Sequence, residues 1–311
     1  YKQSANDKSV YYNKNRRHRV VKHVDDMATR GLPEQNGWFK KQCEQQYPIK
    51  GWHVLSHTNP VKFCGTTYLK KYVNGVPTYG ITQMDDIKAF LDAHNFVGVR
   101  PVAGPMANRK ELYGDSRGVT PEEHQWIRSC VGTLSYFADH TKYEMSAAVN
   151  IIAQTIASPT QGTVKAVRRV MGWLATEGVW NKIYWCSRLL HNQWDTFVDS
   201  DWAGEQKYGS PRSRTGVIIL LNGLPVHWRS NKQPETAISS AQAEIYAMSE
   251  ACKDIRLRLW VADELGLQPI YPTDIKVDNQ AGVYFQNMMN PATKLNFKGV
   301  FDLRQKGVEE L

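Results

Sequence analysis

The five cysteines, Cys43, Cys64, Cys130, Cys186 and Cys252, include no CxxC pair and are scattered along the chain. That spacing argues against a zinc site or a disulfide framework and fits an intracellular, reducing compartment. Long apolar runs are missing too. The longest purely aliphatic stretch, Val217 to Leu221, is far too short to cross a bilayer, so no membrane partner is expected. No apolar targeting segment opens the sequence, which leaves secretion unsupported. Neither an internal repeat nor a low-complexity tract stands out, and ordinary globular units are expected.

What is present points the same way. The 311 residues suffice for two or three compact units with real cores. Apolar residues make up 41%, with 10 Trp and 15 Tyr, a globular rather than a disordered composition. The formal net charge of +9 and pI of about 9.2 favour an anionic partner. The basic residues cluster: Lys14, Arg16, Arg17, Arg19 and Lys22 crowd "KNRRHRVVK", and Lys165, Arg168 and Arg169 share part of one helical segment. Nucleic acid suits such patches when Tyr and Trp are interleaved, although a solvated, solubilising surface explains the charge alone equally well.

Three regions are expected. Residues 1–110 mix short strand-like runs with loops. Residues 111–190 become helical. "TPEEHQWIRSCVGTLSYFADH" opens with Thr120 as N-cap, Pro121 in the first turn and Glu123 three residues after the cap, a capping box. In "TVKAVRRVMGWLA", Val164, Val167, Met171 and Leu174 keep one face apolar. Near Leu190 the period changes from helix to strand, which sets off residues 191–311. There, two β-rich runs joined at Asn222-Gly223 predict a hairpin. A long helix capped by Ser239 or Ser240 and closed by Gly266 follows, with Ile245, Met248, Cys252, Ile255 and Leu259 as its buried stripe. Last come a short strand, Ile275 to Val277, and a further helix beginning at Asp278.

The chemistry centres on acids. "FVDSDWAG" ends a strand-like run with Asp199 and Asp201, which alternation points to one face. A carboxylate at a strand tip is a hard-oxygen ligand for Mg²⁺, but taken alone it reads more readily as an ordinary solvated turn residue. The predicted strand–hairpin–helix–strand order brings Asp199 and Asp278 to strand ends and Glu244 to the first turn of the helix beside them. Carboxylates held that close repel unless cations neutralise them, and two Mg²⁺ ions so held can activate water against a phosphodiester.

Four words carry a family resemblance: "FVDSDWAG", "SRTGVIILLNGLPVHWRSNKQ", "AISSAQAEIYAMSEACKD" and "KVDNQAG", in family order. They resemble ribonuclease H in the form found in the Pol polyprotein of copia-type LTR retrotransposons. Upstream, "HVDDM" resembles the Tyr-x-Asp-Asp turn of reverse transcriptases, with Asp25 and Asp26 as the remnant of the polymerase motif, and "VKFCGTTY" resembles the stretch after the palm. The resemblance implies an α/β fold: a ribonuclease H-like mixed sheet with flanking helices, preceded by a partial reverse-transcriptase palm and a helical thumb and connection. It implies Asp199, Glu244 and Asp278 as catalytic metal ligands, two Mg²⁺ ions as cofactor, and an RNA–DNA hybrid or RNA as partner; the charge clusters add Arg16, Arg17, Arg19, Lys165, Arg168 and Arg169 as candidate phosphate contacts.

The departures matter as well. The family's further palm aspartate and its fingers lie upstream of this sequence, His23 replaces the turn's tyrosine, and Lys22 interrupts an apolar strand, so no polymerase activity is expected. The resemblance also implies a fourth nuclease carboxylate after a last strand; "VFDLR", with Asp302, resembles the word that precedes that strand, and Asp302 is expected to be a surface residue rather than a substitute ligand. Two readings follow: ribonuclease H-type hydrolysis by two-metal catalysis, or a domesticated, non-catalytic subunit that binds RNA or protein within a larger complex.

Overall fold

A computed structural model describes residues 1–15, 17–96, 98–106, 109–186, 192–267 and 273–277. The chain is mixed α/β, with three four-stranded sheets and seven α-helices among the described residues. The first sheet has the order β1 (Lys2–Gln3), β2 (Val10–Asn13), β3 (His18–His23) and β4 (Asp26–Arg30), followed by α1 (Pro33–Glu44). Val10, Tyr12, His18 and Val20 are its buried residues, alternating as strand geometry requires. β3 and β4 pair antiparallel from Arg19↔Arg30 to His23↔Asp26, so Val24 and Asp25 form a two-residue turn.

That turn is strained. Val24 lies at φ +53° with 78% of its surface exposed, and a β-branched residue is a poor occupant of the left-handed region. Val24→Gly should therefore raise stability by about 1 kcal/mol, by removing that steric cost. Chemical denaturation measures it, and an unchanged or lower midpoint would show that the valine side chain holds the hairpin some other way.

The second sheet contains β5 (Val61–Phe63), β6 (Thr66–Val73), β7 (Val76–Thr82) and β8 (Tyr184–Trp185), all antiparallel. Between β7 and β8 come α2 (Met84–Ala93), α3 (Arg109–Gly114), α4 (Pro121–His140), α5 (Ser146–Ala153) and α6 (Gln161–Leu174). The capping box on α4 forms as read from the sequence. Glu123 N–H donates to Thr120 Oγ1 at 3.2 Å, and Thr120 N–H donates to the Glu123 carboxylate at 3.0 Å. Val164, Val167, Met171 and Leu174 are all buried, packing α6 into one core with α4 and α5.

The third sheet positions the candidate site. Its order is β11 (Leu224–Lys232), β10 (Arg214–Leu221), β9 (Trp194–Asp201), β12 (Asp274–Val277). The first three are antiparallel neighbours and β12 runs parallel to β9. The hairpin at Asn222-Gly223 forms as expected, with both residues at positive φ (+52° and +78°), the geometry that Asn-Gly tolerates best.

α7 (Ser240–Glu264) packs across β9 and β10, with the Ser239 side chain capping it through Gln242 N–H at 3.2 Å. Gly266, at φ +66°, follows its end. The buried stripe differs in one respect from the sequence expectation. Ile245 is only half-buried, and Ala247 and Ala251 join Ile255, Leu259 and Ala262 against Trp194, Val198, Val217 and Ile219. Small side chains let a helix lie close to a sheet, which leucine-sized periodicity does not reveal. No described helix is long and apolar enough to cross a membrane.

Candidate functional site

Asp199 is the third residue from the end of strand β9, opposite Gly216 of β10. It is exposed and makes no side-chain hydrogen bond or ion pair among the described residues. Asp201, two residues on, is committed elsewhere: its carboxylate pairs with the guanidinium of Arg109 on α3. A Cβ on Gly204 would collide with that carboxylate, which accounts for the glycine closing "DWAG". The structure thus gives the two acids different surroundings.

Glu244 lies near the start of α7, is 5% exposed and is engaged with its surroundings. Its location is fixed by Gln233, a buried residue just past β11. The Gln233 amide donates to Thr215 Oγ1 at 3.1 Å and to the Ala243 carbonyl at 2.9 Å. Thr215 pairs with Ser200 on β9, so the beginning of α7 is tied to the same end of the sheet that carries Asp199. The β12–β9 ladder ends with Val277 opposite Val198, one residue before Asp278 and Asp199 in the sequence. Asp278 itself, with Arg16 of the basic segment, lies outside the described residues.

Face and end are different matters. Val198 packs into the cluster under α7, so alternation turns Asp199 to the other side of β9. Among the described residues no group of three or more His, Cys, Asp or Glu is placed to hold a metal ion. Asp25 and Asp26 are exposed on the β3–β4 hairpin.

The side of β9 that carries Asp199 and Asp201 holds a charge cluster that the sequence reading did not single out. Arg214 and Lys232 sit directly opposite each other on β10 and β11, and Glu205 lies between them, at 3.1 Å from Arg214 and 2.8 Å from Lys232. Burial pushes the Glu205 carboxyl up, but hydrogen bonds and charge from Lys232 and Arg214 hold it below its ordinary value. Arg214 also donates to the Asn150 side chain on α5. It is therefore buried and held through both terminal guanidinium nitrogens, whereas its neighbour Arg212 is exposed. Trp228 is a packing residue: its indole N–H donates to the Ala138 carbonyl at 2.6 Å.

The basic patches are partly committed as well. Arg19 donates through its guanidinium to the Leu265 carbonyl at the end of α7, a favourable place for a cation because helix carbonyls accumulate negative potential there. Lys165 shares Asp115 with Arg117, at 2.7 and 2.8 Å, and these two cations hold the Asp115 carboxyl far below its usual range. Arg169 donates to the Met106 carbonyl at 2.9 Å, and Arg168 lies 5.5 Å from the Trp126 ring centroid. Arg17 is exposed on the β2–β3 turn.

The difference between Arg17 and Arg19 is testable. Arg17→Ala should flatten the salt dependence of duplex binding by about one unit if it contacts phosphate. Arg19→Ala should leave that slope alone and cost about 1–2 kcal/mol in stability, through loss of the bond to the helix end. Equal slopes for wild type and Arg17→Ala would mark the turn as a solvated surface.

Comparison with known proteins places the chain. It is 29% identical over 212 residues to the retrovirus-related Pol polyprotein from transposon RE1 of Arabidopsis thaliana, covering 67% of this chain and 14% of that protein. It is 31% identical over 193 residues to the Pol polyprotein from transposon RE2 of the same plant, covering 61% and 13%. It is also 32% identical over 126 residues to the secreted RxLR effector protein 161 of Plasmopara viticola, covering 40% of this chain and 86% of that protein. No family model matches the chain. The chain belongs to the retrovirus-related Pol polyproteins of copia-type transposons. It spans about one seventh of the length of the two Arabidopsis relatives.

Proposed function

We propose that residues 191–311 form a ribonuclease H-type unit that hydrolyses RNA in RNA–DNA hybrids, with Asp199, Glu244 and Asp278 as its metal ligands. One observation carries the reading. β9 lies between an antiparallel hairpin and the parallel β12, and the start of α7 is tied to the strand end that bears Asp199. The meeting place is then the end of the sheet where β9 runs on past the last rung of β12, rather than the face covered by α7.

The donor set suits magnesium: three hard carboxylates, of which Asp199 has no competing cation among the described residues while Asp201 is neutralised by Arg109. The chemistry that paired Mg²⁺ supplies, when bound, is activation of water and stabilisation of the leaving oxygen of the phosphodiester. This chain's own part is to bring acids together that would otherwise repel. Gln233 anchors the helix start and Arg109 draws Asp201 away from that role. Selectivity for the RNA strand would rest on groove shape and contacts to 2′-hydroxyls.

A second reading has its own support. Asp199 faces away from the body of α7, which fits a non-catalytic subunit that binds RNA or protein. Cleavage of a labelled hybrid in Mg²⁺, with Asp278→Asn alongside, decides between them. Metal-dependent cleavage lost in the variant supports the nuclease, and binding without cleavage supports the subunit.

A further inference from the structure

The β6–β7 ribbon carries a surface that neither the carboxylate rim nor the basic clusters use. Strand alternation puts Tyr68, Lys70 and Tyr72 on one face of β6. The register sets Lys70 directly opposite Tyr79 and Tyr68 opposite Ile81, which adds Tyr79 to that face. The three tyrosines are 38%, 54% and 46% exposed in the order Tyr68, Tyr72, Tyr79. The Lys70 ammonium lies between two of them, 5.4 Å from the Tyr72 centroid and 6.0 Å from that of Tyr79. On the opposite face Lys71 covers Trp185 at 3.8 Å, so that side is already occupied. Among the described residues, β5 pairs only with Thr66 to Tyr68 and β8 only with Gly80 and Ile81. The Lys70–Tyr79 part of the ribbon therefore projects beyond its neighbours.

The charge of this segment is one-sided. From Val61 to Thr82 there are three lysines and no aspartate or glutamate. Exposed apolar area alone would suit many partners, but aromatic rings with a cation set between them fit a narrower class. Unpaired bases stack on aromatic faces regardless of sequence, and the phosphates linking them need a nearby cation. A duplex hides its base faces and gains nothing from the rings. An acidic protein surface would be drawn to the lysine but has no use for stacking.

We propose that Tyr72 and Tyr79, with Lys70 between them, form a stacking platform for single-stranded nucleic acid. The platform does not depend on the nuclease reading and stands whether or not the carboxylate rim binds metal. Tyr72 and Tyr79 hold the bases, Lys70 neutralises the phosphate between them, and Tyr68 extends the track toward the base of the ribbon.

The test is fluorescence anisotropy of the full chain with labelled oligothymidylate, oligouridylate and a blunt duplex of equal length. The Tyr72→Ala/Tyr79→Ala variant should weaken single-strand binding about tenfold or more while duplex binding stays within about twofold. The Tyr72→Phe/Tyr79→Phe variant should keep near-wild-type affinity, because stacking needs the ring and not the hydroxyl. Lys70→Ala should lower the salt slope by about one unit, and this arm holds even if the alanine pair disturbs the hairpin. Unchanged single-strand affinity in the alanine pair, an equal loss on duplex, or a loss in the phenylalanine pair as large as in the alanine pair would each overturn the proposal. So would sedimentation showing that the alanine pair abolishes self-association without altering oligonucleotide binding, since a second copy would then be the occupant.

Discussion

Asp199→Asn is expected to lower Mg²⁺-dependent cleavage of the RNA strand of a hybrid by at least about a hundredfold, the scale on which losing one preorganised charge-stabilising group acts. The folded state should lose nothing. Asp199 is exposed and has no described partner, so no buried group is orphaned. Asp201→Asn is the matched control. It breaks the link to Arg109 on α3 and so loosens the contact between the connecting helices and the sheet, without removing a proposed metal ligand. The two substitutions should separate: activity falls with Asp199, and stability falls with Asp201. If Asp199→Asn cleaves as well as wild type while Asp201→Asn is inactive, the assignment of the first acid is reversed. If wild type does not cleave in millimolar Mg²⁺, the subunit reading takes over.

What could be read in the sequence divides by range. The Thr120 box, the Asn222-Gly223 hairpin, the α6 stripe and the strand ending at Val277 are local patterns in which partners lie within a few residues, and all four appear where expected. The features that escaped depend on partners far along the chain. Lys142 reads as a surface lysine. It is fully buried instead, donates to the Val179 carbonyl, and burial pushes its pKa down to about 8. Arg19 reads as a member of a phosphate-binding run but spans 246 positions to reach Leu265. Arg214 has no local pattern that marks it as buried, yet it is the first residue of β10 and is held by Glu205.

The candidate site shows the same division. The acidic words picked out Asp199 and Glu244, and topology brings their elements to one end of one sheet. Alternation could also have been applied to Val198, whose burial under α7 fixes the side on which Asp199 emerges. The pattern of single words hid that consequence, because it takes a helix and two strands together to define which face is covered.

The buried charge cluster should be the most sensitive point of the fold outside the hydrophobic cores. Arg214 and Lys232 are cross-strand neighbours of like charge, an arrangement that destabilises a sheet unless an anion intervenes. Glu205 is that anion, with its side chain only 5% exposed, and Arg214 is almost as deeply enclosed. Removing one partner of a buried pair leaves the other charge uncompensated, at a cost of about 3–5 kcal/mol. Glu205→Gln should lower unfolding stability by that amount, more than Lys232→Ala, whose ammonium retains access to water. Because Arg214 also reaches Asn150 on α5, loss of Glu205 should weaken the seat of the connecting helices on the sheet. The pH dependence has a definite sign. The Glu205 carboxyl is held below its unfolded value, so its contribution is present above the ordinary carboxylate range and is lost as pH falls through the depressed folded value. Wild type should therefore lose stability on acidification more steeply than Glu205→Gln. Replacing the pair together, as Glu205→Gln with Arg214→Met, should recover part of the loss, since no charge is then left stranded. Chemical denaturation of the single and paired variants reads both effects. A single-variant loss under about 1 kcal/mol, or a paired variant no better than the single, would show that water reaches the cluster and screens it as it does surface pairs.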